Sequence, residues 1–210
     1  MSNLEIQQYV VGPVATNCYF LVNNKTKECI IVDPGASGLQ LVKRIEEQSL
    51  KPVAVLLTHG HFDHAGDAGY IADHYKVSIY ASELEKETLG QPEINLSASM
   101  GGLGEVYRAD VFLKDCEEIT LADFRIRVLS TPGHTPGGCC YYLVDEMVLM
   151  SGDSLFSGSV GRTDFPGGSM SELIRSLREK VMVLPPSVKV FPGHDDMTTI
   201  EQETYYNPYF

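Results

Sequence analysis

Three histidines and one aspartate lie within six positions of one loop: His59, His61, Asp63 and His64. They follow an apolar run at 53–57 that predicts a buried strand, and a helical pattern begins just after them. A loop this short cannot bury four such side chains as packing, and imidazole and carboxylate groups are metal ligands. In extended backbone His59 and His61 point to one side, whereas the turn into the helix directs Asp63 and His64 toward a neighbouring position. The loop therefore predicts the beginnings of two metal sites.

Two later histidines share a pattern in which a strand is followed by proline, glycine and histidine. It occurs at 132–134 and again at 192–194, and it ends in His134 and His194. Proline ends the hydrogen-bonded ladder, glycine permits a sharp bend, and the histidine then projects from the edge of the sheet. Asp153 follows another predicted strand in a similar setting. The alternative, that these are core histidines with satisfied hydrogen bonds, does not explain why the pattern occurs twice.

The simplest assignment of these side chains is a pair of cations that share one carboxylate. The first cation is bound by His59, His61 and His134. The second is bound by Asp63, His64 and His194, and Asp153 bridges the two. Each cation then keeps a position for water, whose pKa a cation pair lowers from near 16 toward about 7. The cations also polarise the substrate carbonyl, so no protein nucleophile is needed. Asp63 is a candidate proton carrier for leaving groups more basic than a thiolate.

Three other side chains carry expectations of their own. Asp33 ends the strand predicted at 29–32, where it either accepts a hydrogen bond from a ligand histidine or caps its own turn. Arg162 lies in a glycine-rich turn after Asp153, and its guanidinium suits a substrate carboxylate. The alternative for Arg162 is a local pair with Asp164. His74 is expected to be an exposed helix residue rather than a ligand.

The composition limits the partners and the compartment. The chain has 16 basic and 28 acidic residues and a net charge of −12, which disfavours nucleic acid and anionic membrane surfaces. Its five cysteines include no C-x-x-C pair, and we interpret those in strands as small buried hydrophobes. No signal sequence and no apolar run of the ~20 residues that span a membrane is evident. We expect a cytoplasmic protein that acts on a small molecule, and we make no prediction of its oligomeric state.

Strand and helix patterns occur in two similar series. The predicted strands are 6–11, 18–22, 29–32, 53–57, 77–80, 118–121, 124–128, 139–144, 147–150 and 188–191. The predicted helices are 39–45, 65–75 and 170–181, with capping boxes that begin at Ser82 and Ser169. The stretch 90–110 lacks periodicity, and it either borders the active site or is a surface excursion. The order predicts two sheets packed face to face with helices outside, in one domain, 1–210, of two similar halves.

The motifs together resemble the metallo-β-lactamase superfamily. T-H-x-H-x-D-H at 58–64, P-G-H-T at 132–135, S-G-D at 151–153 and G-H at 193–194 occur in the family's order. The resemblance implies a four-layer αββα sandwich of the α/β (α+β) class, with a dinuclear centre at one edge between the sheets. We expect two divalent metal ions per chain; ligands without cysteine suit zinc, our first expectation, and also iron or manganese.

Within the superfamily, G-D-S-L-F at 152–156 and G-R-T-D at 161–164 are similar to the glyoxalase II branch. We expect the chain to lack the helical region that binds glutathione in that branch, because it ends soon after His194. The resemblance implies a hydrolase that uses a hydroxide bound to both metals to cleave a small thioester or ester. Persulfide dioxygenases, which use one iron with two histidines and one aspartate, resemble the same branch and are the competing class. A lactonase or another hydrolase of this fold is a further alternative.

Overall fold

Two six-stranded sheets form the centre of the structure, a computed structural model that describes residues 3–101 and 103–210. The first sheet has its strands in chain order: β1 (Leu4–Val11), β2 (Thr16–Asn23), β3 (Glu28–Val32), β4 (Lys51–Leu56), β5 (Ser78–Ser82) and β6 (Val111–Leu113). The later strands are β7 (Glu118–Leu121), β8 (Phe124–Ser130), β9 (Cys139–Leu143), β10 (Val148–Gly152), β11 (Leu155–Phe156), β12 (Ser159–Val160), β13 (Lys189–Pro192) and β14 (Thr198–Thr199). The second sheet has the order β14-β13-β10-β9-β8-β7, and β11 pairs with β12 in a separate hairpin.

The helices are short and lie outside the sheets. They are α1 (Gly38–Glu47), α2 (Phe62–Ala65), α3 (Ala68–Tyr75), α4 (Lys86–Gly90), α5 (Met170–Ser176) and α6 (Ile200–Tyr206). A 3-10 turn at Glu83–Glu85 and π-helical turns at Ser97–Gly101 and Leu177–Val181 complete the regular structure. Within 3–101 and 103–210, every helix is too short or too polar to cross a membrane.

Successive side chains of a strand point to opposite faces of its sheet, and this alternation separates the core into layers. On β2, Phe20 and Val22 face the helices of the first half, whereas Tyr19 and Leu21 lie between the two sheets. The layer between the sheets also contains Tyr141 of β9, and a third cluster packs α5 and α6 on the outer face of the second sheet. The predicted αββα sandwich is therefore confirmed.

Strand register brings distant loops to one edge of the sandwich. In the first sheet β3 and β4 are parallel and Val32 pairs with Leu56, so the residues after both strands emerge together. In the second sheet β10 and β13 are parallel, and Gly152 pairs with Pro192. The β8–β9 connection begins at the same edge, because β9 is antiparallel to both β8 and β10. The predicted ligands follow the ends of β4, β8, β10 and β13, and Asp33 follows the end of β3.

The helix predicted over 65–75 is wrong in its boundaries. Helical backbone begins at Phe62, so the turn already contains Asp63 and His64, and it is interrupted between α2 and α3. The interruption has a tertiary cause, since the Asp67 N–H donates to the Pro34 carbonyl at 3.0 Å instead of continuing the helix ladder. Such a bond depends on the fold and leaves no periodic signal in the sequence.

The capping box predicted at Ser82 is only half present. The Ser82 hydroxyl accepts the Leu84 N–H, but Glu85 does not return to cap the turn and is fully buried. The box predicted at Ser169 is also half present, because its hydroxyl accepts the Glu172 N–H and caps α5 but its own N–H donates to the Gly133 carbonyl. Helix α5 continues through the π-helical turn to Val181. The strand β6 was not predicted, because three residues are too few to show an alternating pattern.

Candidate metal centre

The structure brings all seven predicted ligands to the sandwich edge where β4, β8, β10 and β13 end. The loop after β4 supplies four, and the other three each come from a separate strand end in the second sheet: His134, Asp153 and His194. Ligand atoms of these residues fall into mutually close groups within 4.8 Å: His59, His61 and His134; His59, His64 and Asp153; and Asp63, His64 and His194. His74 lies outside these groups on α3, where it is exposed as predicted, and its Nε2 is 3.7 Å from Glu46 Oε1.

The first group is a ring of three imidazoles. His61 Nδ1 lies 3.1 Å from His59 Nε2 and 3.0 Å from His134 Nε2. A tetrahedral cation with metal–nitrogen distances near 2.05 Å sets its nitrogens about 3.3 Å apart, so the ring has the dimensions of a coordination shell. Burial, together with the neighbouring imidazoles, lowers the pKa of His59 and lowers that of His61 to about 3. Both rings are therefore neutral at pH 7 and have lone pairs available for a cation.

The second group pairs a carboxylate with two imidazoles. Asp63 Oδ2 lies 3.4 Å from His64 Nε2 and 3.3 Å from His194 Nε2. Burial opposes ionisation of Asp63, but His64 and His194 outweigh it and hold the pKa of this carboxyl far below its usual range. The carboxylate is therefore charged, as a ligand must be.

Asp153 lies between the two groups. Its Oδ2 is 3.5 Å from both His134 Nε2 and His194 Nε2, and its Oδ1 is 3.4 Å from His64 Nε2. Burial disfavours the charged form, but these imidazoles lower the pKa of Asp153 to about 2. The carboxylate can thus serve both groups at once.

Two buried atoms without a hydrogen-bond partner indicate that these side chains fit a cation. His64 Nε2 and Asp153 Oδ1 make no hydrogen bond to any residue that the structure describes, although both are inaccessible to solvent. An unpaired buried nitrogen or carboxylate oxygen costs about 1–3 kcal/mol or more. A divalent cation between them would satisfy both, so the residues present suit a bound metal.

Asp33 orients His64 from behind. Its Oδ2 lies 3.0 Å from His64 Nδ1, and the carboxylate also accepts the Thr58 N–H at 2.8 Å and the Thr58 hydroxyl at 2.6 Å. Of the two sequence-based alternatives, the structure has the contact with a ligand histidine. A carboxylate on Nδ1 sets the ring orientation and directs Nε2 into the centre.

His134 is oriented by a backbone carbonyl. Its Nδ1 donates to the Arg162 carbonyl at 2.7 Å, because a carbonyl can only accept, and Nε2 is then the nitrogen with a free lone pair. The Arg162 guanidinium makes two hydrogen bonds of 2.7 Å to Asp164 and lies 4.1 Å from the Phe165 ring. The side chain of Arg162 therefore forms the local pair that was the alternative to binding a substrate carboxylate.

Sequence reasoning missed several residues that support the loops. The Thr16 hydroxyl donates to Asp63 Oδ2 at 2.7 Å, across 47 residues of sequence. The Asn17 side chain donates to the carbonyls of Pro192 and Asp195, on either side of His194. Neither contact has a local signal, because each depends on how β2 packs beside the second sheet.

Glu85 is a buried carboxylate beneath the histidine loop. Its Oε1 accepts the N–H of Gly60, between two ligands, at 2.8 Å, and the side chain is completely buried. Burial raises the pKa of Glu85 to about 7, against the opposing effect of the Gly60 N–H. The sequence predicted Glu85 to be part of a capping box. In the structure it instead supports the loop that contains His59 and His61.

Replacing Glu85 by glutamine is expected to remove a pH dependence of the unfolding free energy. Between an ordinary value of 4.5 and the folded pKa of about 7, the folded protein binds a proton that the unfolded chain does not. Stability from this group is therefore complete below the lower value and is lost as the pH rises through the higher one. Urea unfolding of both proteins from pH ~5 to ~7 measures the difference, with exposed Glu83→Gln as the matched control. Equal slopes for wild type and Glu85→Gln would contradict the assignment.

A cleft of about 380 Å³ opens onto the ligands. This volume is within the range of small-molecule sites, roughly 300–1,000 Å³. The stretch 90–110 borders it, since Leu96 and Met100 line the cleft. Buried Asn95 fixes this stretch. Its side-chain amide donates to the Leu89 and Glu105 carbonyls, and its backbone carbonyl accepts the Phe62 N–H.

The comparisons with known proteins agree with this geometry. The sequence profile of the Metallo-beta-lactamase superfamily matches residues 11–194. The chain is similar to the probable metallo-hydrolase YqgX of Bacillus subtilis, with 36% identity over 95% of this chain and 94% of the relative. It is also similar to the hydroxyacylglutathione hydrolase GloC of Haemophilus influenzae, with 37% identity over 98% of each chain.

Two solved structures superimpose on nearly the whole chain. The BLEG-1 B3 metallo-beta-lactamase has a TM-score of 0.93 and 38% identity, covering 98% of this chain and 99% of its own. TTHA1623, solved in a di-iron-bound form, has a TM-score of 0.85 and 30% identity, covering 97% of this chain and 100% of its own.

Proposed function

The chain belongs to the Metallo-beta-lactamase superfamily, and we propose that it is a metal-dependent hydrolase that cleaves small thioesters or related esters. The observation that carries this proposal is the meeting of six candidate ligands around a seventh, Asp153, at the floor of a cleft. The similarity to a hydrolase named for a glutathione thioester supports the choice of substrate class.

We assign the ligands to two cations. His59, His61 and His134 would hold the first, Asp63, His64 and His194 the second, and Asp153 both. Zinc is our first choice for this donor set, and the di-iron form of TTHA1623 supports iron as an alternative to it.

Thioester hydrolysis breaks the carbon–sulfur bond of the acyl group and forms a carbon–oxygen bond to water. Bound cations would supply a water of lowered pKa and a polarised carbonyl. Asp33 and the Arg162 carbonyl orient ligand imidazoles, and Thr16 holds the Asp63 carboxylate. A thiolate leaves with little need of a proton, whereas an alkoxide needs one. We assign this transfer to Asp63 at the wall of the cleft, whose ionised carboxylate would first take the proton that the water loses.

Activity of metal-loaded protein tests the proposal. Purified chain loaded separately with zinc, manganese or iron is assayed with S-lactoylglutathione, S-acetyl-N-acetylcysteamine, p-nitrophenyl acetate and a lactone. We expect hydrolysis of the thioesters, loss of that activity after chelation and dialysis, and recovery on adding metal. Fully metal-loaded protein that hydrolyses none of the thioesters or esters would refute the proposal. Oxygen uptake with glutathione persulfide by the iron form would favour the dioxygenase instead.

Hydrolysis of β-lactams is a second candidate, favoured by the similarity to BLEG-1 over the whole chain. The same metal-loaded preparations can be assayed with a chromogenic cephalosporin. Turnover of this compound at a higher kcat/KM than any thioester would place the second candidate first.

A further inference from the structure

We propose that the cleft selects a thioester or ester whose acyl group, away from the carbonyl, is uncharged and apolar. The inference rests on the proposed hydrolase function and concerns the substrate class of that same site. It follows from two features of the walls: their apolar surface and the pairing of their positive charge.

Apolar side chains from separate parts of the chain surround the ligands. The lining includes aromatic and aliphatic groups from α2, from the π-helical turn and the residue before it, from β11 and from the turn after β12: Phe62, Leu96, Met100, Phe156 and Phe165. Met100 is 53% exposed, so part of this apolar surface faces water. Contiguous exposed apolar surface beside a reactive centre is typical of a binding site. A substrate with apolar groups would cover it and gain free energy from burial.

The walls offer no unpaired positive charge. Among the described residues that line the cleft, Arg162 carries the only lysine or arginine charge, and Asp164 already accepts two hydrogen bonds from it. Asp164 occupies the Nε and Nη2 edge of the guanidinium, whose face lies against the Phe165 ring, so the positive charge of Arg162 is already paired. Asp195 adds a carboxylate to the lining. Bound cations would act at the carbonyl on the floor of the cleft, and a negative group farther out would lie among apolar groups and this aspartate.

An acyl series in the metal-loaded enzyme tests the inference. The probes are S-acetyl-, S-butyryl- and S-hexanoyl-N-acetylcysteamine, with S-adipoyl-N-acetylcysteamine as a partner of equal chain length that ends in a carboxylate. We expect kcat/KM to rise roughly fourfold per methylene until the wall is covered. The adipoyl compound is expected to fall roughly tenfold or more below the hexanoyl compound, because its carboxylate must lose water without gaining a partner.

A lysine substituted into the wall of the cleft tests the same selectivity by changing the protein instead of the substrate. Met100→Lys is expected to raise the ratio of adipoyl to hexanoyl kcat/KM by roughly tenfold, since it supplies the missing cation. Leu103→Lys is the matched control, because Leu103 is on the same stretch, 84% exposed and outside the cleft lining. It makes the same change in net charge and is expected to leave the ratio unchanged.

The outcomes separate this inference from the function on which it rests. Thioester turnover with a flat acyl series, or with the adipoyl compound preferred, would overturn the apolar selectivity and leave the hydrolase intact. An equal change of the ratio in Met100→Lys and Leu103→Lys would also overturn it, because the charge would then act without contact at the wall. Absence of turnover for every thioester and ester would refute both. The rising series together with a response confined to Met100→Lys supports the proposal.

Discussion

Replacing Asp153 by asparagine is expected to lower kcat for thioester hydrolysis by more than about 100-fold and to reduce the metal content of the purified protein. Its carboxylate lies within 3.4–3.5 Å of imidazoles in both ligand groups. Removing a group that only orients a ligand typically costs 10- to 100-fold in affinity or activity, and a shared ligand should cost more.

Elemental analysis and steady-state kinetics on the same preparation measure both effects. Asp145→Asn is the matched control: this exposed aspartate pairs with Arg125 at the surface, and such pairs contribute little to stability. The control is expected to keep wild-type metal content and activity. Full metal content and near-normal kcat in Asp153→Asn would show that Asp153 does not join the two groups.

Replacing Gly193 by alanine is expected to disrupt the centre while changing no ligand. A Cβ at this position would lie 2.3 Å from Asp153 Oδ1 and 2.6 Å from His64 Cε1, closer than real Cβ contacts allow. The His194 loop, Asp153 or His64 must therefore shift, and overpacking of this kind costs about 1–3 kcal/mol of folding free energy. We expect metal affinity to fall by at least about tenfold, because ligand positions are disturbed.

Chelator competition and urea unfolding measure the two consequences. Gly90→Ala is the matched control, since a Cβ at this position would meet nothing within 4 Å. Its metal affinity is expected to equal that of the wild type. Wild-type metal affinity in Gly193→Ala would show that the backbone at 193 does not need to pass so close to the ligands.

The sequence was sufficient to select the side chains that the structure brings together at one edge of the sandwich, and the reason is physical. Metal chemistry restricts residue types, and strand ends restrict positions, so His59, Asp153 and His194 all carry local signals. The four-layer fold was also predictable, because alternation within strands and the order of elements both survive in the chain. The interpretation as one domain of two similar halves stays a prediction.

Contacts made by the folded chain were not predictable in the same way. Thr16 reaches Asp63 across 47 positions and Glu85 reaches Gly60 across 25. A threonine near a turn and a glutamate after a serine have several ordinary local roles, and only tertiary packing selects among them. Arg162 shows the same ambiguity at short range, because the carboxylate that it binds belongs to Asp164 and not to a substrate.

Anomalous X-ray scattering from crystals grown with zinc is the most direct test of the central claim, that separate strand ends enclose a pair of cations. The prediction is two adjacent peaks, one bordered by His59, His61 and His134, the other by Asp63, His64 and His194, with Asp153 in contact with both. Crystals with zinc in solution but no peak within reach of these side chains, or with peaks only elsewhere on the surface, would contradict it.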